Sequence, residues 1–201
     1  MSILETRVYR WLESATDFFL LNLMWLAACL PVVTIFPSTA AMFGVVRDWV
    51  RGKEGSLTRE FVTRFRENLG QSLLVGAIWT VFGVALFLDF LVASQLSYWA
   101  EIVLKSLLVL VSTLYAFGSV YLFPVMVHYE TDWKTVIKNS LLISIGSLPT
   151  TVVCLVFSTV MVGLTVVAPF LVVITGSITA YVVYRLCDSV FRKIDAAYGD
   201  A

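Results

Sequence analysis

The chain has 201 residues, of which 59% are hydrophobic and 14% charged, with 14 Lys and Arg against 14 Asp and Glu. Ordinary soluble domains carry about 25% charged residues, and the mean hydropathy here is +0.89. This composition excludes a soluble enzyme, a disordered tail and an electrostatic nucleic-acid binder. It leaves an all-α, polytopic transmembrane helical bundle surrounded by the lipid bilayer, built as one integral membrane domain over residues 1–201.

At 1.5 Å per residue, a helix needs about 20 apolar residues to cross a hydrocarbon core about 30 Å thick. Charge-free runs occupy Phe18–Val46, Asn68–Leu88, Ser106–Tyr129 and Asn139–Tyr184. In the first run, Pro31 and Pro37 lie close together. The residue before a proline is pushed towards extended conformations, and proline suits the first turn of a helix. We therefore predict a helix from Tyr9 to Leu30 (membrane part 12–30), an irregular link, and a broken continuation over 37–50. Irregular backbone at membrane depth needs protein or water around it, so the link is expected to face the bundle interior.

The later spans are predicted at Ser72–Phe90, Ile102–Val127, Leu141–Val162 and Ala168–Tyr184, the last run bending between Gly163 and Pro169. Strands are excluded, because these runs lack the apolar/polar alternation of barrel strands.

Lys and Arg concentrate in Arg47–Arg66, Glu130–Lys138 and the tail, and are missing from Val92–Glu101 and Gly163–Ala168. The rule that basic loops stay inside puts segments 47–67, 128–139 and 185–201 in the cytoplasm. The N-terminus is ambiguous, because Arg7 and Arg10 sit among Glu5, Glu13 and Asp17. A bent helix pair that enters and returns would place it inside, one crossing outside. The reading taken is one crossing, giving about five spans.

Several local signals carry a bland reading beside a functional one. Leu26-Ala27-Ala28-Cys29 has the look of a lipoprotein processing site, but acids among the preceding residues and apolar sequence after Cys29 favour an uncleaved helix. Cys29, Cys154 and Cys187 lack metal-ligand spacing and read as reduced packing residues. His128, with only Glu130 and Asp132 nearby, reads as a solvated loop residue, and no metal or cofactor is expected. No P-loop, GxSxG or HExxH pattern occurs, so no catalytic residue is assigned.

Asp89 and Lys105 flank the predicted outer turn and form a candidate ion pair across two helices. Pro37, Ser38, Thr39, Ala40 and Gly44 form a small-residue face for close helix packing, with Ser38 and Thr39 able to cap free N–H groups. The competing reading is an anion site at a helix start within the membrane. Leu57, Phe61, Phe65 and Leu69 recur every four residues, with Arg64 and Arg66 elsewhere. This predicts a cytoplasmic amphipathic helix on the inner surface, or a docking helix for a soluble partner. Arg66-x4-Gln71-Ser72-Leu73-Leu74 and Lys134-x4-Asn139-Ser140-Leu141-Leu142 raise the question of a duplicated surface helix plus hairpin.

A set of short motifs spread over most of the chain resembles the YesL-like family of bacterial multi-pass membrane proteins of unknown function. They are Trp25, Leu30-Pro31-Val32-Val33-Thr34, Pro37-Ser38-Thr39-Ala40-Ala41, the Arg47–Lys53 stretch, Phe61, Phe65, Asn68, Phe123-Pro124, Lys138-Asn139-Ser140 and Leu148-Pro149. Phe36 stands where the family usually has glycine. The resemblance implies a bacterial inner-membrane protein of the kind encoded beside carbohydrate ABC-transporter components and polysaccharide-degrading enzymes. It carries over no catalytic residue. Two functions compete: a non-catalytic accessory to carbohydrate uptake that binds the permease of an ABC-type sugar importer, and a small-solute transporter or channel. No nucleic-acid partner is expected, and the sequence leaves the oligomeric state open.

Overall fold

The computed structural model describes residues 3–199 except 54, 96 and 130, with side chains from residue 15 to residue 197. In order come α1 (Ile3–Cys29), a 3-10 turn (Val32–Thr34), α2 (Ile35–Val50), α3 (Leu57–Ala93), α4 (Tyr98–Tyr129), α5 (Trp133–Gly146), α6 (Leu148–Val167), a second 3-10 turn (Pro169–Leu171) and α7 (Val172–Gly199). No strand occurs among the described residues. The stretches Leu57–Ala93, Tyr98–Tyr129, Leu148–Val167 and Pro169–Ala197 are each long and apolar enough to cross a membrane, and Ala15–Cys29 is a shorter apolar helix. Many of their large apolar side chains point outward. In water that would be prohibitive, and in hydrocarbon it is the stable arrangement. The molecule is an all-α multi-pass membrane protein.

The core is organised around α2. Every residue from Ala40 to Asp48 is buried, and α2 packs against α1, α3, α4 and α7. A helix that is apolar all round belongs inside a bundle, and α2 fits there because its neighbours come close. A Cβ added to Gly44 would touch the Arg64 side chain at 3.1 Å, and one added to Gly76 of α3 would fall within the Phe36 ring. On the other side, Phe36 and Phe43 stack on Phe123 of α4 with centroids 6.5 and 6.0 Å apart. Ala40 and Gly44 are both buried in α2.

Ser38 and Thr39 donate to the carbonyls of Thr34 and Ile35, so they do not cap N–H groups. α2 starts at Ile35, two residues before the predicted Pro37. The preceding 3-10 turn already uses the N–H groups of Thr34 and Ile35, which leaves the anion reading without its open helix start.

The first region returns on itself. Phe18 meets Trp49 and Tyr181 edge-on at 5.2 and 5.3 Å, and Trp25 donates to the Thr39 hydroxyl at 3.2 Å. α1 thus runs antiparallel to α2 and α7, and both ends of the α1–α2 pair lie at one end of the bundle. This is the enter-and-return alternative, in place of the single crossing. The link turns outward, contrary to expectation: Val32 and Val33 are 76% and 68% exposed. Part of its backbone is paired within the turn. The Thr34 N–H bonds the Pro31 carbonyl at 2.8 Å and its hydroxyl reaches the Ala28 carbonyl at 2.6 Å. The side chains of Arg7 and Arg10 lie outside the described residues.

Two more expectations need correction. The amphipathic segment and the span after it are one continuous helix, α3, because Gly70 alone costs only about 1 kcal/mol and no proline interrupts it. Its apolar face belongs to the protein core and not to lipid: Phe61 is buried, with Leu57 and Phe65 packed beside it. The predicted span Leu141–Val162 is broken at Ser147, where α6 restarts with Pro149 in its first turn. Proline cannot continue the preceding helix. The break also separates the two halves of the proposed duplication, since α3 is uninterrupted at the matching point. The last bend falls at Ala168, inside the expected window.

Two glycines on α3 give a paired test. Nothing lies within 4 Å of a Cβ on Gly70, so Gly70→Ala should stabilise the protein by up to about 1 kcal/mol through helix propensity. Gly76→Ala should instead destabilise it by about 1–3 kcal/mol through overpacking against Phe36. Thermal unfolding of both variants in detergent reads the difference in sign.

Candidate functional site: a buried ion cluster at the charged end

Charged groups from four helices meet at one end of the bundle. Asp48, in the last turn of α2, is the centre. Its Oδ2 accepts from Arg64 Nε at 3.0 Å and Nη2 at 2.7 Å. Its Oδ1 lies 3.3 Å from Arg47 Nε and 3.7 Å from Lys53 Nζ. The side chains of Arg47 and Asp48 are only 5% and 3% exposed. Arg47 also donates through Nη1 to the Val127 carbonyl of α4. That carbonyl belongs to the last turn of α4, where carbonyls lack a partner within the helix.

Arg64 continues outward to Glu67 at 2.9 Å, and Gln71 bonds the Thr131 carbonyl after α4. Between these groups lies a polar cavity of about 270 Å³, lined by Arg47, Arg64, Glu67, Asn68, Gln71 and Val127. Burying charges is unfavourable unless they are paired and hydrogen-bonded, and Asp48 meets that condition with three cations. The arrangement ties α2, α3 and the end of α4 together.

Beside it, His128 is buried, with its side chain 8% exposed, and is not the solvated residue expected. Its Nδ1 lies 3.0 Å from the Tyr184 hydroxyl and 3.3 Å from Arg51 Nη2. Arg51 can only donate, so Nδ1 is assigned as the acceptor and Nε2 carries the hydrogen towards Asp195, 3.6 Å away. Asp195 also accepts from Tyr129 at 3.2 Å, and Phe191 packs on the imidazole at 4.5 Å. One ring thereby joins α4, the segment after α2 and the tail of α7. Glu130 lies outside the described residues. Among the described residues no group of three or more His, Cys, Asp and Glu side chains is placed to hold a metal ion.

Of the other predicted site residues, Arg64 is in the cluster while Arg66 is exposed. Asp89 and Lys105 do not pair. Lys105 binds Glu101 one turn away on α4 at 2.6 Å, which a shared helix arranges more readily than a contact across two helices, and Asp89 is exposed. Asp48 escaped the sequence reading because Arg47–Lys53 was weighed only as a basic stretch for orientation. A usable signal was there: an acid beside an arginine at the end of a 29-residue charge-free run. Cys154 and Cys187, 33 positions apart, are both buried free thiols, brought near each other by the α6–α7 pairing.

Removing the central carboxylate should be far worse than removing a peripheral cation. Asp48→Asn leaves buried guanidinium groups unmatched and should cost about 3–5 kcal/mol. Lys53→Gln, whose side chain is 58% exposed, should cost less than about 1 kcal/mol. Unfolding in detergent, followed by helical circular dichroism, measures both.

A family model described as "Protein of unknown function, DUF624" matches residues 18–90, from α1 through most of α3. Among relatives, the uncharacterized protein YteU of Bacillus subtilis (strain 168) is 27% identical over 199 residues, covering 96% of this chain and 89% of the relative. The uncharacterized protein YesL of the same organism is 29% identical over 188 residues, covering 87% and 85%. The uncharacterized protein YesV, also of that organism, is 27% identical over 139 residues, covering 67% of each. No solved structure matches the chain. The motifs, the family match over residues 18–90 and these relatives point the same way: the chain is similar to the YesL-like proteins of unknown function.

Proposed function

We propose that the protein is a non-catalytic accessory to carbohydrate uptake or polysaccharide utilisation, which binds the permease of an ABC-type sugar importer in a bacterial inner membrane. In this reading the charged end faces the cytoplasm. The carrying observation is that the buried ionic groups engage one another and the ends of helices. Asp48 is held by Arg64, Arg47 and Lys53, and His128 joins Tyr184, Arg51 and Asp195. Groups held this way position helices. A catalytic site would instead aim a nucleophile and a base at an open pocket.

Around this end, Arg51, Lys53, Arg59, Arg66, Lys134 and Lys138 are exposed, a basic surface suited to acidic protein segments or headgroups. The link to carbohydrate uptake draws on the family resemblance. A second reading, a small-solute transporter, draws on the polar cavity beside Arg47 and Arg64. It predicts substrate flux into proteoliposomes.

Affinity purification from native membranes decides the first reading. An importer permease should co-purify, and deletion of the gene should lower oligosaccharide uptake. Unchanged uptake with no permease recovered would overturn it.

A further inference from the structure

His128 joins three parts of the molecule through one ring, and that ring is held in place. Phe191 packs on it at 4.5 Å and Tyr129 at 4.7 Å, and its side chain is 8% exposed. A change in its charge must therefore be answered by its partners. His128 is also the sole histidine of the chain. Histidine is the side chain whose ordinary titration falls between about pH 5 and pH 8.

The two ring nitrogens meet opposite surroundings. A ring nitrogen without a hydrogen offers one lone pair. At Nδ1 that lone pair faces the Tyr184 hydroxyl at 3.0 Å and Arg51 Nη2 at 3.3 Å. At Nε2 the N–H faces Asp195 Oδ2 at 3.6 Å. One side is built for a neutral ring and the other for a cationic one.

The charged and titratable groups around the ring come from three places. Arg51 belongs to the segment after α2, Tyr129 to α4 itself, and Tyr184, Asp188 and Asp195 to α7. Arg47 and Asp48 of α2 stand one step further away, beside Tyr184. Asp188 is already engaged by Arg192 at 2.8 Å, and Asp48 by its three cations. That leaves Arg51 and Asp195 to answer a new charge on the ring.

A proton added at Nδ1 removes the lone pair and sets N–H against N–H at Arg51, which has no acceptor to offer. The Tyr184 hydroxyl can turn and accept, because a hydroxyl does both. Arg51 can only leave, and it is exposed, so water takes up its charge. On the other side the cationic ring pairs with Asp195, which Tyr129 holds through Oδ1 at 3.2 Å.

We infer that His128 is a proton-operated latch. Neutral, it ties Arg51, and with it the end of α2, to α4 and α7. Protonated, it releases Arg51 and grips the α7 tail through Asp195. The part released is well defined. The N–H groups of Arg51, Gly52 and Lys53 bond the carbonyls of Arg47, Trp49 and Asp48 at 3.0, 3.0 and 2.9 Å, closing α2 beside the Asp48 cluster. With Arg51 untethered, this last turn frays more readily.

Two measurements on the full chain in lipid nanodiscs test the latch. With isotope-labelled histidine, nitrogen NMR reads a single imidazole, which at about pH 8 should carry hydrogen on Nε2 and none on Nδ1. On acidification from about pH 8 to about pH 5, hydrogen exchange at the amides of Arg51, Gly52 and Lys53 should quicken. After correction for the intrinsic effect of pH, the gain should be about fivefold, the weight of one hydrogen bond. Arg51→Gln should show the faster exchange already at the upper pH, and His128→Gln should show no response to acid. Hydrogen on Nδ1 at the upper pH would overturn the inference. So would exchange that acid leaves unchanged, slow exchange in Arg51→Gln, or a response that survives in His128→Gln.

Discussion

The bundle depends on keeping one carboxylate charged in a nearly dry place. Asp48 lies in the last turn of α2, a helix buried from Ala40 to Asp48, and it is tolerable there because α3 delivers Arg64, the preceding residue delivers Arg47, and the loop delivers Lys53. Both arginines also have a second attachment. Arg64 reaches Glu67, and Arg47 closes an open carbonyl of α4. An isolated buried ion pair is weak evidence for stability, but breaking one is severe. The cluster therefore acts more as a specification of which helix ends belong together than as a source of net stabilisation. In a lipid-surrounded bundle such specification matters, because apolar contacts alone discriminate poorly between alternative packings of similar helices.

The placement of charge adds a second kind of order. Four helical stretches qualify as membrane spans by length and composition. The polar cavity and the His128 network gather at the charged end, while Asp89 and the Lys105–Glu101 pair lie towards the far tip of α3 and α4.

Much of the fold was legible from charge-free lengths and prolines. α2, α4 and the bend at Ala168 lie within a few residues of their predicted bounds, because each boundary is set by a proline or a charge that acts locally. The errors came where the deciding interaction is distant. Whether α1 crosses or returns depends on Phe18 meeting Trp49 and Tyr181, which no local pattern reports. The every-fourth-residue stripe at Leu57, Phe61 and Phe65 shows that one face of the helix is covered, but not whether lipid or protein covers it. Asp48 and His128 are ordinary polar residues near a membrane edge when read in sequence. Burial gives them meaning, and burial is a property of the assembled chain. Pro149 lies inside a long apolar run, where length alone suggests one unbroken span.

The enclosure of α2 also bears on biogenesis. α2 emerges from the ribosome second, while the Val127 carbonyl that Arg47 needs and the α7 surface that covers α2 are translated much later. Only α3 follows at once, carrying Arg64 to Asp48 and Gly76 to Phe36. The earliest self-consistent assembly is therefore α1 through α3, nearly the same stretch that the family model covers. Until the later helices arrive, the flanks of this nascent unit must be shielded by the insertion machinery or by lipid.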